Sequence, residues 1–270
     1  MQILERAAGP ELSPLVDRFW AVRAGPGEEV SFADPLPGTG AELLIHCGAP
    51  LRLADGTALP AAHLLCLRQG PLQLAPAARG VELFAVRFRA GALRHFVEPE
   101  PAEVADVQVP FWELTGPLER SRCDQIATAR GFEEQARSAE HSLVELLRRF
   151  RRPDRLVDRA VSQLYASGGS VRIEELAGAL GLGRRQLARR LGQALGISPK
   201  RFARLVRFQK TVRRLLLDER RDALPVALEH GFYDQAHFAH EVRELTGRPP
   251  TALLRDMAGK SHFYKRSLHP

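Results

Sequence analysis

Cysteine and long apolar runs are both scarce in this chain of 270 residues, and each scarcity excludes a class of protein. Three cysteines, Cys47, Cys66 and Cys123, are too few and too scattered for a disulfide framework or a cysteine-rich zinc site. No apolar run approaches the roughly 18 residues that a membrane helix needs. The first residues carry no secretion signal. We therefore expect a cytoplasmic protein with no membrane partner.

Lysine is absent from residues 1–150, and the charge is divided unevenly between the two halves of the chain. Residues 1–150 contain 15 Arg against 20 Asp and Glu, whereas residues 151–270 contain 24 Lys and Arg against 12 Asp and Glu. An acidic half joined to a basic half is typical of a regulatory domain attached to a nucleic-acid-binding domain. Charge alone leaves open a basic face that is merely solvated.

Glycine and proline divide residues 1–110 into short apolar runs, at 30–32, 42–46, 51–53, 64–67, 72–74 and 81–88. Short strands at intervals of roughly 8–12 residues are typical of a small β-barrel or sandwich. In the last run the alternation slips at Ala85 and Val86, which indicates either a bulge or burial on both faces.

A helical period replaces this alternation near residue 135. One helix face carries the apolar residues Ala136, Ala139, Leu143, Leu146, Leu147 and Phe150. We expect this helix to pack on the β domain, and a dimerisation helix is the alternative.

The residues suited to catalysis are isolated in the acidic half. His46, His63, His95 and His141 form no His-x-His pair of the kind that points two rings into a metal-binding barrel. His46 and Cys47 are adjacent, so they would point to opposite faces of a strand. The sequence contains no glycine-rich phosphate loop and no nucleophile elbow. We therefore expect ordinary strand residues at His46 and Cys47, and no catalytic residue, metal or cofactor.

The basic half contains an internal repeat. Each unit reads Ala-x-x-x-Gly, a short turn, a helix and Gly-x-x-Pro, which predicts a helix-turn-helix. The alanine allows two helices to cross closely, and the glycine ends the first helix at positive φ without steric cost. Asp234 is a good N-cap for the second unit, and Gly183 is a weaker one for the first. The aligned pairs are Ala177 and Ala227, Gly181 and Gly231, Leu187 and Phe238, Leu191 and Val242, Gly196 and Gly247, and Pro199 and Pro250.

A long helix is predicted between the two units, from residue 199 to about residue 217. About 19 residues span roughly 28 Å, which suits two reading heads near one DNA turn, about 34 Å, apart. Its basic stripe, spaced by three residues, indicates either a DNA-facing surface or a solvated face. The stripe consists of Arg201, Arg204, Arg207 and Lys210.

Residues 154–256 resemble the DNA-binding domain of the AraC/XylS family of transcription regulators. The resemblance rests on Gly231-Phe232-x-Asp234-Gln235-x-His237-Phe238 followed by Leu245-Thr246-Gly247-x-x-Pro250, together with the stretch IEELAGALGLGRRQLARRLGQALGISPKRF. It implies two helix-turn-helix units that enter successive major-groove segments. Upstream, LPGTGAELLIHCG and GVELFAVRFRAGALRHF more loosely resemble the small-barrel sensor domains that precede this module.

The resemblance also implies which side chains face DNA. On the first recognition helix these are Arg184, Arg185, Gln186, Ala188 and Arg189, of which arginine suits bidentate reading of guanine. On the second helix they are Gln235, Ala236, His237, Ala239 and His240. The family usually has Arg at the position of His240 and Phe at the position of Val242.

We therefore predict an α+β multidomain protein. Residues 1–150 form an N-terminal small β-barrel, cupin-like, with a C-terminal helix, as a sensor or dimerisation domain. Residues 151–258 form an all-α DNA-binding domain with two helix-turn-helix units joined by a long helix, and residues 259–270 form a basic tail. The predicted function is sequence-specific binding of double-stranded DNA in transcription regulation, controlled by a ligand or partner at the N-terminal domain. An enzyme or protein-interaction module fused to a DNA-binding domain is the alternative. RNA polymerase, a small-molecule effector and a second copy of the chain stay open as partners.

Overall fold

A computed structural model of the chain describes residues 1–25, 27–30, 37–65, 73–75, 78–104, 108–217 and 223–258. The strands in this part are β1 Gln2–Ala7, β2 Val16–Arg23, β3 Glu29–Val30, β4 Glu42–His46, β5 Ala62–Leu65, β6 Ala78–Arg79 and β7 Glu82–Phe88. A short 3-10 helix, Leu93–His95, follows β7. The α-helices are α1 Phe111–Thr115, α2 Leu118–Thr128, α3 Phe132–Phe150, α4 Arg155–Ala166, α5 Ile173–Ala179, α6 Arg184–Leu195, α7 Pro199–Leu217, α8 Ala223–Glu229, α9 Gln235–Thr246 and α10 Pro250–Ala258.

The strands form one antiparallel sheet in the order β1-β2-β7-β4-β5 and a separate pair of β3 with β6. This confirms the α+β class with an N-terminal β domain. Within the described residues the main sheet is open, because β1 and β5 form its two edges and do not pair with each other. The small barrel of the prediction is therefore an open sheet. No helix in the described part is both long and apolar enough to cross a membrane.

The sequence pattern located the central strands better than the edges. Residues 42–46 form β4, and β7 covers the run at 81–88 except for its first residue. β7 is buried on both faces, which explains the slip of alternation there. The register shift lies instead in β2, between Val16 and Arg18. The runs at 51–53 and 72–74 contribute only isolated bridges within the described residues. β1 and β2 were missed, and residues 31–32, 66–67 and 72 lie outside the described residues.

Separate cores hold the two halves of the chain. One face of the main sheet packs against α2 and α3, where Leu143 and Leu146 of α3 are buried. The apolar face of α3 thus belongs to the core, as expected, and is not an exposed dimerisation surface. The other face of the sheet carries a smaller apolar cluster that includes Leu44 and Leu83. A third core runs through the helical half from Val157 to Leu253.

Candidate nucleic-acid interface

The first helix-turn-helix unit consists of α5 and α6. Gly181 lies in the turn at φ +66°, where any other residue would be strained, so it ends α5 as predicted. Gly183 is the N-cap of α6 and provides no side-chain hydrogen bond, which agrees with its weak capping potential. Ala177, Leu187 and Leu191 are buried where the two helices meet. These contacts fix α6 with its opposite face toward solvent.

The second unit, α8 and α9, repeats this geometry with a stronger cap. The turn residue Gly231 has φ +84°, and the Asp234 carboxylate accepts a hydrogen bond of 2.7 Å from the backbone N–H of His237. Phe238 and Val242 are buried on the inner face of α9. Glycines in the left-handed conformation, Gly196 and Gly247, end α6 and α9. The predicted boundaries of both recognition helices are confirmed.

The solvent-facing side of α6 is strongly basic. Arg184, Arg185, Gln186 and Arg189 are exposed there, and Ala188 is half-buried beside them. Arg184 forms an exposed ion pair of 3.0 Å with Glu174 of α5, and Arg189 donates to Gln193 at 3.2 Å. The helix sequence carries four arginines and no acidic residue. This face therefore attracts an anionic polymer, and its guanidinium groups can donate hydrogen bonds to base edges or phosphates.

The corresponding face of α9 is polar but not basic. Gln235, Ala236 and His240 are exposed, whereas Ala239 is half-buried. His237 is also half-buried. Its Nδ1 accepts a hydrogen bond of 3.1 Å from the backbone N–H of Tyr233, so the ring lies against the turn that precedes α9. The structure thus gathers the predicted residues of each unit on one surface, with His237 at its border.

Ion pairs attach α9 to the long helix α7. The Arg204 guanidinium lies 2.8 Å from a carboxylate oxygen of Glu241 and 2.6 Å from one of Glu244. Arg201 reaches Glu244 at 3.5 Å. These hydrogen bonds raise the pKa of Arg204 and lower that of Glu244. α9 therefore carries two acidic residues held by arginines, and His240 lies 3.8 Å from Glu244.

The basic stripe of α7 is half-buried and its four cations contact neighbouring elements, so it is not a freely solvated face. A DNA-facing role for the stripe stays a prediction. Arg201 and Arg204 bind the acidic residues of α9. Arg207 donates to the carbonyl of Gly169 and lies over the Phe232 ring, and Lys210 lies over the Tyr165 ring. Spacing by three residues placed these cations on one face, but neighbouring helices cover that face.

Sequence reasoning missed one exposed aromatic side chain on this surface. Tyr233 is 89% exposed and directly precedes Asp234, the N-cap of α9. The aligned position in the first unit is Leu182, which is half-buried. The available signal was an aromatic residue in the turn of the second unit where the first unit has the aliphatic Leu182.

The N-terminal domain contacts the helix that joins the two units. Thr39 Oγ1 donates to Gln209 Oε1 of α7 at 3.0 Å and lies 3.3 Å from the hydroxyl of Tyr165 in α4. Arg94, which is buried, binds Asp158 of α4 at 2.5 Å. These two contacts thus reach α4 and α7, which pack against the first recognition helix.

The linker between the domains is held from both sides. The backbone N–H of Arg152 donates to His95 Nδ1 at 3.0 Å, and burial lowers the pKa of His95 to about 4. Asp154 caps α4 and also pairs with Arg190 of α6 at 2.8 Å. The end of the linker therefore contacts the first recognition helix through the ion pair of Asp154 with Arg190.

Two histidines that sequence reasoning treated as isolated lie side by side. The rings of His46 and His63 stack with a centroid separation of 5.3 Å. The interpretation of His46 as isolated was wrong, because the pairing of β4 with β5 brings together residues that are 17 positions apart. Cys47 faces the opposite core, as expected, and Gln135 Nε2 lies 3.2 Å from its sulfur. Among the described residues no group of three His, Cys, Asp or Glu is placed to hold a metal.

Comparison with known proteins supports the assignment of a helix-turn-helix domain in the helical half. Residues 176–256 match the family described as "Helix-turn-helix domain", which is of the AraC type. No curated protein matched the chain. Among solved structures, ToxT from Vibrio cholerae at 1.65 Å is similar, with 9% identity and a TM-score of 0.48 over 94% of this chain and 98% of ToxT.

Two further ToxT structures give similar values. One, from Vibrio cholerae O395, has 12% identity and a TM-score of 0.48 over 88% of this chain and 97% of that chain. The other is ToxT of the same strain bound to (E)-4-(8-methylnaphthalen-1-yl)but-3-enoic acid, with 10% identity and a TM-score of 0.48 over 94% and 99%.

Proposed function

We propose that this DNA-binding transcription regulator, whose residues 176–256 belong to an AraC-type helix-turn-helix domain, reads DNA with two chemically different heads. The first head is α6, where Arg185 and Arg189 recognise guanine edges and neighbouring cations neutralise phosphates. This assignment depends on the surface of α6, where three arginines are exposed and the helix contains no acidic residue.

The second head, α9, relies on shape and neutral hydrogen bonds. Gln235 suits the N6 and N7 atoms of adenine, and the exposed Tyr233 contacts sugar or phosphate beside it. The predicted face of α9 carries no arginine, so the first head supplies most of the salt-dependent affinity. RNA polymerase and a second copy of the chain stay predictions.

We further propose that the N-terminal domain controls the heads through Thr39 and Gln209. This contact lies near the middle of α7, the helix that sets the distance between the two heads. A cleft of about 1110 Å³ beside it is lined by both domains, which gives a small molecule or a partner access to the contact. A change at residues 37–40 would therefore reach both heads through one helix.

The experiment is a double-mutant cycle in the full-length chain, with operator affinity as the readout. Thr39→Val and Gln209→Leu should each change the affinity several-fold, and the double variant should change it by less than the sum of the two effects, because the hydrogen bond that they share is lost only once. Thr128→Val is the matched control, because Thr128 bonds only within α2 among the described residues. Unchanged affinity in both single variants would contradict control through this contact, while specific DNA binding would still stand.

A further inference from the structure

Two buried imidazole rings lie together on one face of the N-terminal sheet. This face is opposite to the one that packs on α2 and α3. Leu44 of β4 pairs with His63 of β5, so His46, two residues further along β4, lies on the same face as His63. His63 is 0% exposed and His46 is 6% exposed. Their rings are nearly parallel, with an angle of 18° between their planes.

Backbone groups fix the proton positions of both rings. The backbone N–H of Leu51 donates to His46 Nδ1 at 3.3 Å, so the neutral His46 ring carries its proton on Nε2. His63 Nδ1 lies 2.9 Å from the carbonyl oxygen of Pro60, which can only accept, so the proton of His63 is on Nδ1. Burial lowers the pKa of His46 to about 4 and lowers that of His63, so both rings are neutral at pH 7.

The two Nε2 atoms therefore offer one donor and one acceptor. Neither has a hydrogen-bond partner within the described part of the chain. Leu51 and Leu59 are joined by a backbone hydrogen bond of 2.9 Å, so both Nδ1 atoms face the same segment and both Nε2 atoms point away from it. Buried polar atoms in proteins nearly always have a partner. The pair is thus arranged to bind one group that accepts from His46 and donates to His63.

The chemistry of that group follows from this arrangement. A carboxylate only accepts and an ammonium only donates, whereas a hydroxyl does both through one oxygen. A metal ion would need a lone pair on each Nε2, but that of His46 carries a proton. The neighbours on this face, Leu44, Leu65 and Leu83, are apolar.

We propose that His46 and His63 bind the hydroxyl group of a small, otherwise apolar ligand, an alcohol or a phenol. β4 connects this site to the rest of the molecule, because it ends at His46 and begins three residues after Thr39, which contacts α7. An effector role for the ligand rests on the proposed function, whereas the binding site itself does not.

The experiment uses the full-length chain with phenol and toluene, two probes of nearly equal size that differ in the hydroxyl. Nitrogen-15 NMR of labelled histidines reports the tautomers without any substitution, and should show a protonated Nε2 in His46 and an unprotonated one in His63. Phenol should bind about tenfold more tightly than toluene, the effect of the added hydrogen bonds, and should shift both Nε2 resonances. His63→Leu should remove this preference, and His141→Leu, an exposed histidine of α3, should keep it.

Several results would overturn the proposal. These are the opposite tautomer in either ring, equal affinity for phenol and toluene, a preference that survives His63→Leu, or no shift with phenol, which would mean that water alone bridges the pair. Operator binding is measured on the same samples. If the unsubstituted chain prefers phenol to toluene but binds no DNA sequence specifically, the proposed function is contradicted and the ligand site is not.

Discussion

Replacing Arg189 with alanine should remove one base-reading side chain while leaving the first head folded. Arg189 is exposed on α6, and its one hydrogen bond within the described chain is to Gln193, one turn along the same helix. Losing an exposed interaction of this kind changes the free energy of unfolding by less than about 0.5 kcal/mol. A bidentate contact to guanine contributes about 1–3 kcal/mol, so affinity for the operator should fall by about 5- to 150-fold.

Fluorescence anisotropy of the full-length chain with labelled duplexes measures this loss. The variant is compared on the operator and on a scrambled duplex of the same composition, at two salt concentrations. Arg148→Ala is the matched control, because it removes an exposed arginine from α3, outside both recognition helices. If Arg189→Ala weakens both duplexes equally, Arg189 contacts only phosphate or nothing, and its assigned role is wrong.

Two further predictions concern pH and domain division. Chemical unfolding should show that the N-terminal domain loses about 3 kcal/mol of stability because of His46 as the pH falls from about 6.5 to about 4. The reason is that the His46 ring is protonated in this range only in the unfolded state. His46→Phe should lack this loss, and the same loss of stability in the variant would contradict the prediction. Residues 154–258 alone should fold and select the same half-site as the full chain, since they contain a complete core; selection of a different sequence by the fragment would show that the first half takes part in reading DNA.

The recognition helices could be predicted because local signals decide their ends. Gly181 and Gly231 adopt positive φ, and Asp234 caps α9, so each boundary depends on residues within a few positions of it. The matched apolar pairs of the two units then identified the buried faces. The long helix α7 was predicted for the same reason, because Pro199 begins it. The helices α4 and α10 were not predicted.

Features that depend on pairing between distant segments could not be predicted in this way. His46 and His63 meet only because of the register between β4 and β5, which their spacing in the sequence does not reveal. The spacing of the α7 cations likewise does not reveal that Arg204 binds a carboxylate of α9. β1 and β2 were missed because both begin in a stretch where alternation is weak.

The central claim is that two unlike heads on one chain read DNA, and in-vitro selection of duplexes by the full-length protein tests it most directly. The account predicts a bipartite site with its halves about one helical turn apart. Arg185→Ala with Arg189→Ala should remove the preference in one half only and lower the salt dependence of binding. A protein that enriches no sequence, or a double variant that selects the same site unchanged, would contradict the claim.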